Sequence, residues 1–286
     1  MLARGNALSW ANKGRRLVNW AMLIERYPQD DLQPASYDAV IWRFMPFNRF
    51  VELMRTGTLY FCRSDRFEDE HEGLPTEEYA RRVCASMGPG HDLDNTIGHL
   101  VQQKEAYFIS CWYHFDHETA RMWGQYGNEG VAICSRYGLL KAALDAMPDR
   151  AMLGLVRYGF EHVGWNVLRF ITTKRPKFSD EREVRALIWK PEWAGINRHI
   201  DINNKFHRKP LTDPPPHVLP GLRQAVDLQA LIEGIVVSPD ANPGTVEEIE
   251  RVVSPLGYTI PVRESGFRLY PSVVTDPVEI MRYSSH

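Results

Sequence analysis

The chain has 286 residues, 44% hydrophobic and 24% charged, with a formal net charge of -2. That length bounds it to one large domain, or one domain with an appendage, and leaves ample material for a buried core. The near-neutral balance gives no global basic field, so nucleic acid is not favoured as a partner; with no run near the roughly 20 apolar residues that span a bilayer and no signal-peptide core, no membrane partner is expected and the cytoplasm is the expected location.

Residues 1–36 read as a helical extension and linker. In "WANKGRRLVNWAMLIERY", Leu17, Trp20, Ala21 and Ile24 share one helical face, and "PQDDLQPAS" follows as the linker. From residue 39 the pattern changes. "AVIWRF" predicts a strand, "PFNRFVELMRTG" a short helix stopped by Gly57, and "TLYFCR" a second strand. Residues 64–73, "SDRFEDEHEG", form an acidic loop, and a helical region broken by "MGPGHD" comes next. Residues 106–112 and 130–137 predict apolar strands with a helix between them, and 151–160 a further strand. "GWNVLRFITTKRPKF" predicts helix up to about Lys174, and 183–189 a strand; 194–230, rich in Pro, His and Asn, reads as irregular. At the end, "EGIVVSP" and "YTIPVRES" predict strands around a helix with a Thr245-x-x-Glu248 capping box and Val246, Ile249 and Val253 on one face. That β-α-β unit implies some parallel pairing. Together these predict an α+β fold: a single main domain over 37–286 with a mixed central sheet flanked by helices, carrying the N-terminal helical extension.

The chemistry-bearing motifs are few. Cys62, Cys84, Cys111 and Cys134 show no C-x-x-C spacing and read as small buried thiols of a reducing compartment. The glycine-rich nucleotide signatures, G-x-S-x-G and H-E-x-x-H are all absent. His114 and His117 read as structural or surface residues. The acidic loop offers Asp65, Glu68, Asp69, Glu70 and Glu72, which could bind a divalent cation or be a solvated loop. "SDEREVRALIW" puts Glu181, Glu183 and Arg185 on one face of a strand and Arg182 on the other. Carboxylates at a strand entry stabilise cationic sugar transition states, or they form a plain cross-strand ion-pair ladder. In "HETARMWGQYGNEGVAICSRY", Ala120, Trp123 and Tyr126 share one stripe. The expectation is that Trp123 is mostly buried while Tyr126 faces a cleft with its hydroxyl on a charged residue, because a buried phenol requires a partner.

These motifs, in this order, resemble the bacterial family catalogued as domain of unknown function 2971. The resemblance runs over roughly 39–267. Its "FNDPFEG" hallmark stands here as "FEDEHEG", its "MWSHYADNHKGVCIEF" hallmark as "MWGQYGNEGVAICSRY", and Lys174 or Lys177 precedes the acidic-Arg strand. Glu68 and Glu70 replace the Asn and Pro of the first hallmark, and Gly124 and Gln125 replace the Ser and His of the second. More distantly, the order of parts is similar to that of ADP-ribosyltransferase-like folds. That likeness implies NAD as substrate, with Glu183 and Tyr126 as catalytic residues and Arg43, Ser110 and Trp123 as cofactor-binding residues. Asp69, Glu72, Lys177 and Arg185 then serve as structural or site residues: Asp69 accepting backbone N–H bonds, and Glu72 pairing with an Arg, Arg43 first among the candidates. No metal is expected in this reading.

Three functions follow as expectations. The first is an NAD-using ADP-ribosyltransferase-like enzyme or NAD glycohydrolase, acting as a toxin or defence effector on a small-molecule nucleotide. Its carboxylate, Glu183, is kept ionised by Arg182 and Arg185. The second is a non-catalytic sensor or interaction module in phage defence, with a protein partner held through the N-terminal helix. The third is a metal-dependent nuclease using Asp69, Glu72, Glu181 and Glu183, with Lys190 nearby.

Overall fold

The computed structural model describes residues 32–34, 36–86, 93–127, 129–160, 167–194 and 219–267. The N-terminal helix, and any partner surface on it, lie outside the described residues. Near the end of the expected linker, Leu32 is buried, and Gln33 donates to the Leu153 carbonyl and accepts from the Tyr137 hydroxyl.

The fold is α+β, as its element order predicts. Strand β1 (Val40–Met45) leads into helix α1 (Phe47–Thr56), which buries Phe50, Leu53 and Met54 and stops at Gly57 in the left-handed region (φ 61°). Strand β2 (Thr58–Arg63), helices α2 (Glu77–Ser86) and α3 (Leu93–Gln103) and strand β3 (Tyr107–His114) follow. Helix α4 (Ala120–Tyr126) is capped by Thr119, whose hydroxyl accepts from the Met122 N–H, and leads to β4 (Val131–Arg136) and α5 (Tyr137–Asp145). Strands β5 (Ala151–Leu155) and β6 (Arg157–Tyr158), helix α6 (Val167–Ile171) and strands β7 (Thr173–Lys174) and β8 (Glu183–Trp189) come next. The chain closes with β9 (Gly221–Ala225), α7 (Leu228–Leu231), β10 (Gly234–Val237), α8 (Thr245–Val253) and β11 (Val262–Glu264).

Among the described residues the main sheet has nine strands, ordered β11-β10-β4-β1-β3-β2-β9, with β8 and β5 continuing from β3. It is mixed: β10 and β11 run parallel, as the β-α-β pattern implies, and the other ladders are antiparallel. Strand alternation divides β3 and β8 into two faces. Phe108, Trp112, Val184, Ala186 and Ile188 join Ile41, Phe50, Leu140 and Ile249 in the main core. Ile109, Cys111, Tyr113, Glu183 and Arg185 face the other way.

One irregularity governs the site. Strand β8 pairs along the whole of β3 from Tyr107 to Tyr113, so β1 and β2 must share its other edge. Strand β1 pairs only at Tyr113 and His114, and β2 only at Phe108 and Ile109. The two strands diverge between, and the sheet is forked beside Ser110–Trp112.

Several local expectations are corrected. The segment 151–160 is two strands: after Leu155 the Val156 N–H bonds to the Glu183 carbonyl and β6 leaves β8 to pair with β7. Helix α6 ends at Ile171, before Lys174, because the Thr172 and Thr173 hydroxyls bond back to the Leu168 and Arg169 carbonyls and β7 begins. Within 194–230, residues 221–225 are a strand, paired with β2, and 228–231 a helix. The capping box at Thr245 does not form; Gly244 is the N-cap and the Thr245 hydroxyl bonds to the Asn242 carbonyl. No helix among the described residues is long and apolar enough to cross a membrane.

Gly130 marks where β4 meets the end of β1. A Cβ there would stand 2.2 Å from the Met45 carbonyl oxygen, a backbone atom held by the β1–β4 ladder. Gly130→Ala is expected to destabilise the protein by about 1–3 kcal/mol through overpacking. Gly124, inside α4, has open space around its Cβ direction, so Gly124→Ala should stabilise by about 0.5–1 kcal/mol. Urea unfolding of the two variants checks both; equal behaviour would contradict the packing at Gly130.

Candidate functional site

The sheet face opposite the main core floors a cleft of about 710 Å³. Its lining comes from six separate segments: β1, β2, the acidic loop, β3, α4 and the run from Lys174 to Arg185. Aromatic rings supply much of the wall, including Trp42, Phe44, Tyr60, Phe67, Trp112, Tyr126 and Phe178.

At one side stands a buried ion cluster. Arg185, 2% exposed on β8, donates through Nε to Glu183 Oε1 (2.6 Å), through Nη2 to Glu183 Oε2 (3.1 Å), to the Ile171 carbonyl and to Glu72. Lys174 Nζ lies 2.7 Å from Glu181 Oε2, 2.8 Å from Glu183 Oε2 and 3.8 Å from Glu72 Oε1. The Tyr126 hydroxyl donates to Glu181 Oε1 at 3.5 Å. Three carboxylates therefore face two cations. Burial pushes the Glu183 carboxyl above the usual range, while Lys174 pulls it back. Burial works against the Lys174 ammonium, but Glu183 and Glu181 hold it well above its ordinary value. Burial, with Glu181 next, raises the Tyr126 phenol, so it remains a neutral donor.

Of the loop acids expected for a nuclease, Glu72 comes to Glu181 and Glu183 through Lys174, while Asp69 pairs with Arg175. The space between them is filled by the Lys174 ammonium, which supplies the positive charge that a metal would bring. No group of three His, Cys, Asp or Glu among the described residues is arranged to hold a metal ion.

Arg43, Tyr126, Glu183, Asp69, Glu72, Lys177 and Arg185 all line this cleft. Asp69 accepts from the His71 backbone N–H at 3.1 Å and from Arg175 at 2.5 Å; burial opposes its ionisation, but the Arg175 bond brings its pKa below the usual value. Other assignments are corrected. Glu72 pairs with Arg185 and not with Arg43, which donates to the Tyr60 carbonyl at 3.1 Å, over the Trp112 ring. Trp123 does not line the cleft: it is 1% exposed, packed edge-on against Phe44 (centroids 4.8 Å) and bonded through Nε1 to Glu118 at 2.7 Å. It cannot stack on a ligand, and it serves by fixing α4. Ser110 is 1% exposed and does not line the cleft, whereas Trp112, on the same face of β3, lines it with Arg43 where the fork opens the sheet. Arg182, at φ 43°, lies over the Phe115 ring, so Lys174 takes the place expected of it beside Glu183.

Sequence reading missed Lys174 as a site residue, although a lysine before the acidic strand was its signal. It also missed Cys111. That thiol is open to water at the cleft floor, while burial and then Glu183 hold its pKa up, so it stays protonated. Cys62 and Cys134 are half-buried, leaving Cys84 as the one cysteine fully enclosed as expected.

Comparisons with family models, with curated proteins and with solved structures give no match.

Two expectations follow. Glu72→Ala removes an acid from a buried cation and should cost roughly 3–5 kcal/mol, read as a large fall in melting temperature; unchanged melting with lost ligand binding would instead make Glu72 a ligand contact. Lys104 braces the acidic loop from below, its Nζ donating to the Glu70 carbonyl at 2.8 Å, and burial lowers its pKa from 10.5 to about 8. Between those values the unfolded chain holds a proton that the folded one lacks, so Lys104's contribution to stability rises with pH across that window. The urea midpoint of the wild type should therefore gain on that of Lys104→Met between pH 7.5 and 10; a constant difference would contradict a penalised ammonium.

Proposed function

We propose that the cleft binds a nucleotide, with NAD the first candidate, and that the protein cleaves or transfers from its nicotinamide–ribose bond. What carries the reading is convergence: Arg43, Tyr126 and Glu183, remote in sequence, line one aromatic-walled cleft of nucleotide size. In such a reaction the bond from ribose C1′ to the ring nitrogen breaks and nicotinamide departs with the electron pair. Water or an acceptor nucleophile then attacks C1′ and a proton is released. Positive charge grows on the ribose, and a fixed carboxylate lowers that barrier. Glu183 is the carboxylate, oriented by Lys174 and Arg185. Tyr126, 42% exposed, offers its ring to the nicotinamide and its hydroxyl to Glu181. An effector role in toxicity or phage defence fits an activity that consumes a central cofactor.

A second reading, a non-catalytic nucleotide sensor, draws on one observation: both oxygens of Glu183 are already engaged by Arg185 and Lys174, which damps the charge available to a reacting sugar. Nicotinamide release separates the two. The wild type should release nicotinamide from NAD, and Glu183→Gln, still folded and still binding NAD, should be slower by roughly 100-fold or more, since the lost charge acts chiefly in the transition state. Binding without any release gives the sensor reading; no NAD binding at millimolar ligand sinks both.

A further inference from the structure

We infer that the fork between β1 and β2 is a phosphate subsite, in which Arg43, Trp112 and Arg66 bind the oxyanion of the ligand. This deepens the proposed function in that it needs the cleft to be the ligand site, but it does not depend on any reaction.

The first observation is an imbalance of partners. Arg63 is held by Asp65, Arg175 by Asp69, and Arg185 by Glu72 and Glu183. Arg43 and Arg66, which line the same cleft, have no carboxylate among the described residues. Arg43 uses one N–H on the Tyr60 carbonyl, out of five available. The ionisable group that acts on its charge is the Cys111 thiol, which stays protonated and neutralises nothing.

The second observation is a pair of orphaned donors in side chains that line the cleft. Trp112 Nε1 and Arg66 Nε are buried and have no hydrogen-bond acceptor among the described residues. A buried donor left unpaired is costly, because it has lost its water without a replacement, and native proteins keep few of them. Two beside an unmatched guanidinium mark a place where an acceptor belongs.

The third observation is position. The three residues stand on separate elements that surround the fork. Arg43 bridges it from β1 to the Tyr60 carbonyl of β2, Trp112 is the ring beneath Arg43 on β3, and Arg66 acts on Tyr60 and Cys62 from the turn after β2. Donors on three elements outnumber the two oxygens of a carboxylate and suit the four non-bridging oxygens of a dinucleotide's diphosphate bridge. Around Glu181 and Glu183 three carboxylates face two cations, which disfavours an anion there. A bound nucleotide is thereby given a direction: phosphates toward the fork, sugar and ring toward Glu183 and Tyr126.

The test uses inorganic pyrophosphate, inorganic phosphate and acetate as probes at matched ionic strength, by calorimetry and thermal shift on the full chain. Pyrophosphate and phosphate should bind, and acetate should not. Arg43→Gln should weaken pyrophosphate at least about 10-fold, the weight of a charge-assisted bond. Trp112→Phe keeps a ring and removes the N–H; it should weaken pyrophosphate by roughly 3- to 10-fold. Its unliganded melting temperature should fall only by the packing that the smaller ring loses in the core, because the N–H has no acceptor among the described residues. Arg136→Gln, a surface control paired with Glu233, should bind as wild type. The inference is overturned if pyrophosphate does not bind at millimolar concentration, if acetate binds as well as phosphate, or if Trp112→Phe keeps its affinity. If Arg43→Gln does not fold, Trp112→Phe decides. Pyrophosphate binding without NAD binding would uphold the subsite and reject the proposed function.

Discussion

Arg185 is a guanidinium in the middle of a sheet, 2% exposed, and the site around it is organised by its need for partners. A cation removed from water is tolerable only if acids and carbonyls replace its hydration. Glu183 comes from its own strand, Glu72 from the acidic loop, and the Ile171 carbonyl from the end of α6. One side chain therefore ties a loop, a helix and a strand. Lys174, on β7, repeats the pattern with Glu181 and Glu183. The loop and the β7–β8 connection are held against the sheet by charge, beside a small apolar cluster of Tyr107, Ile109, Leu168 and Ile171 on which Phe67 packs.

This arrangement explains why a cleft exists on this face. The other face is filled by a continuous apolar cluster from Ile41 to Ile260. Here polar side chains at Cys111, Glu183 and Arg185 interrupt the apolar alternation, and smaller clusters lie to either side, one around Trp123 and Phe44, the other around Tyr107 and Leu168. Trp123 and Glu118 hold α4 at the rim: the Glu118 carboxylate accepts from Trp123 Nε1, the Ser265 hydroxyl and the Gly266 N–H, which joins α4 to the chain after β11. Tyr126, one turn on, is thereby left facing the opening.

The fork adds a second kind of polarity. Where β1 and β2 part, backbone ladder gives way to side chains, and those present are donors. The ion cluster saturates its own acids and bases, whereas the fork does not. Within one cleft, matched charges brace the wall while the donors of the fork stay unmatched, and the proposed subsite rests on that separation.

The elements that local pattern alone can specify were legible in the chain: β1, α1 with its Gly57 stop, β2, β3, β4, β8, and the parallel unit of β10 and β11. In each, the period of apolar residues matches the burial that the fold requires. The pairing of Glu183 and Arg185 on one face was legible for the same reason, since alternation is a local property; Glu181 lies in the turn before the strand and joins them through Lys174. The partners were not. Unlike the buried Trp123 and the cleft-facing Tyr126, which were legible from the need of a phenol for a partner, the meeting of Glu72 with Arg185 and the place of Lys174 among three carboxylates depend on contacts between distant segments. The fork is of the same kind, because two strands choosing opposite ends of one neighbour leaves no mark on either sequence. Local order comes from the spacing of side chains along the chain; the site comes from which segments must neutralise one another once water has been excluded.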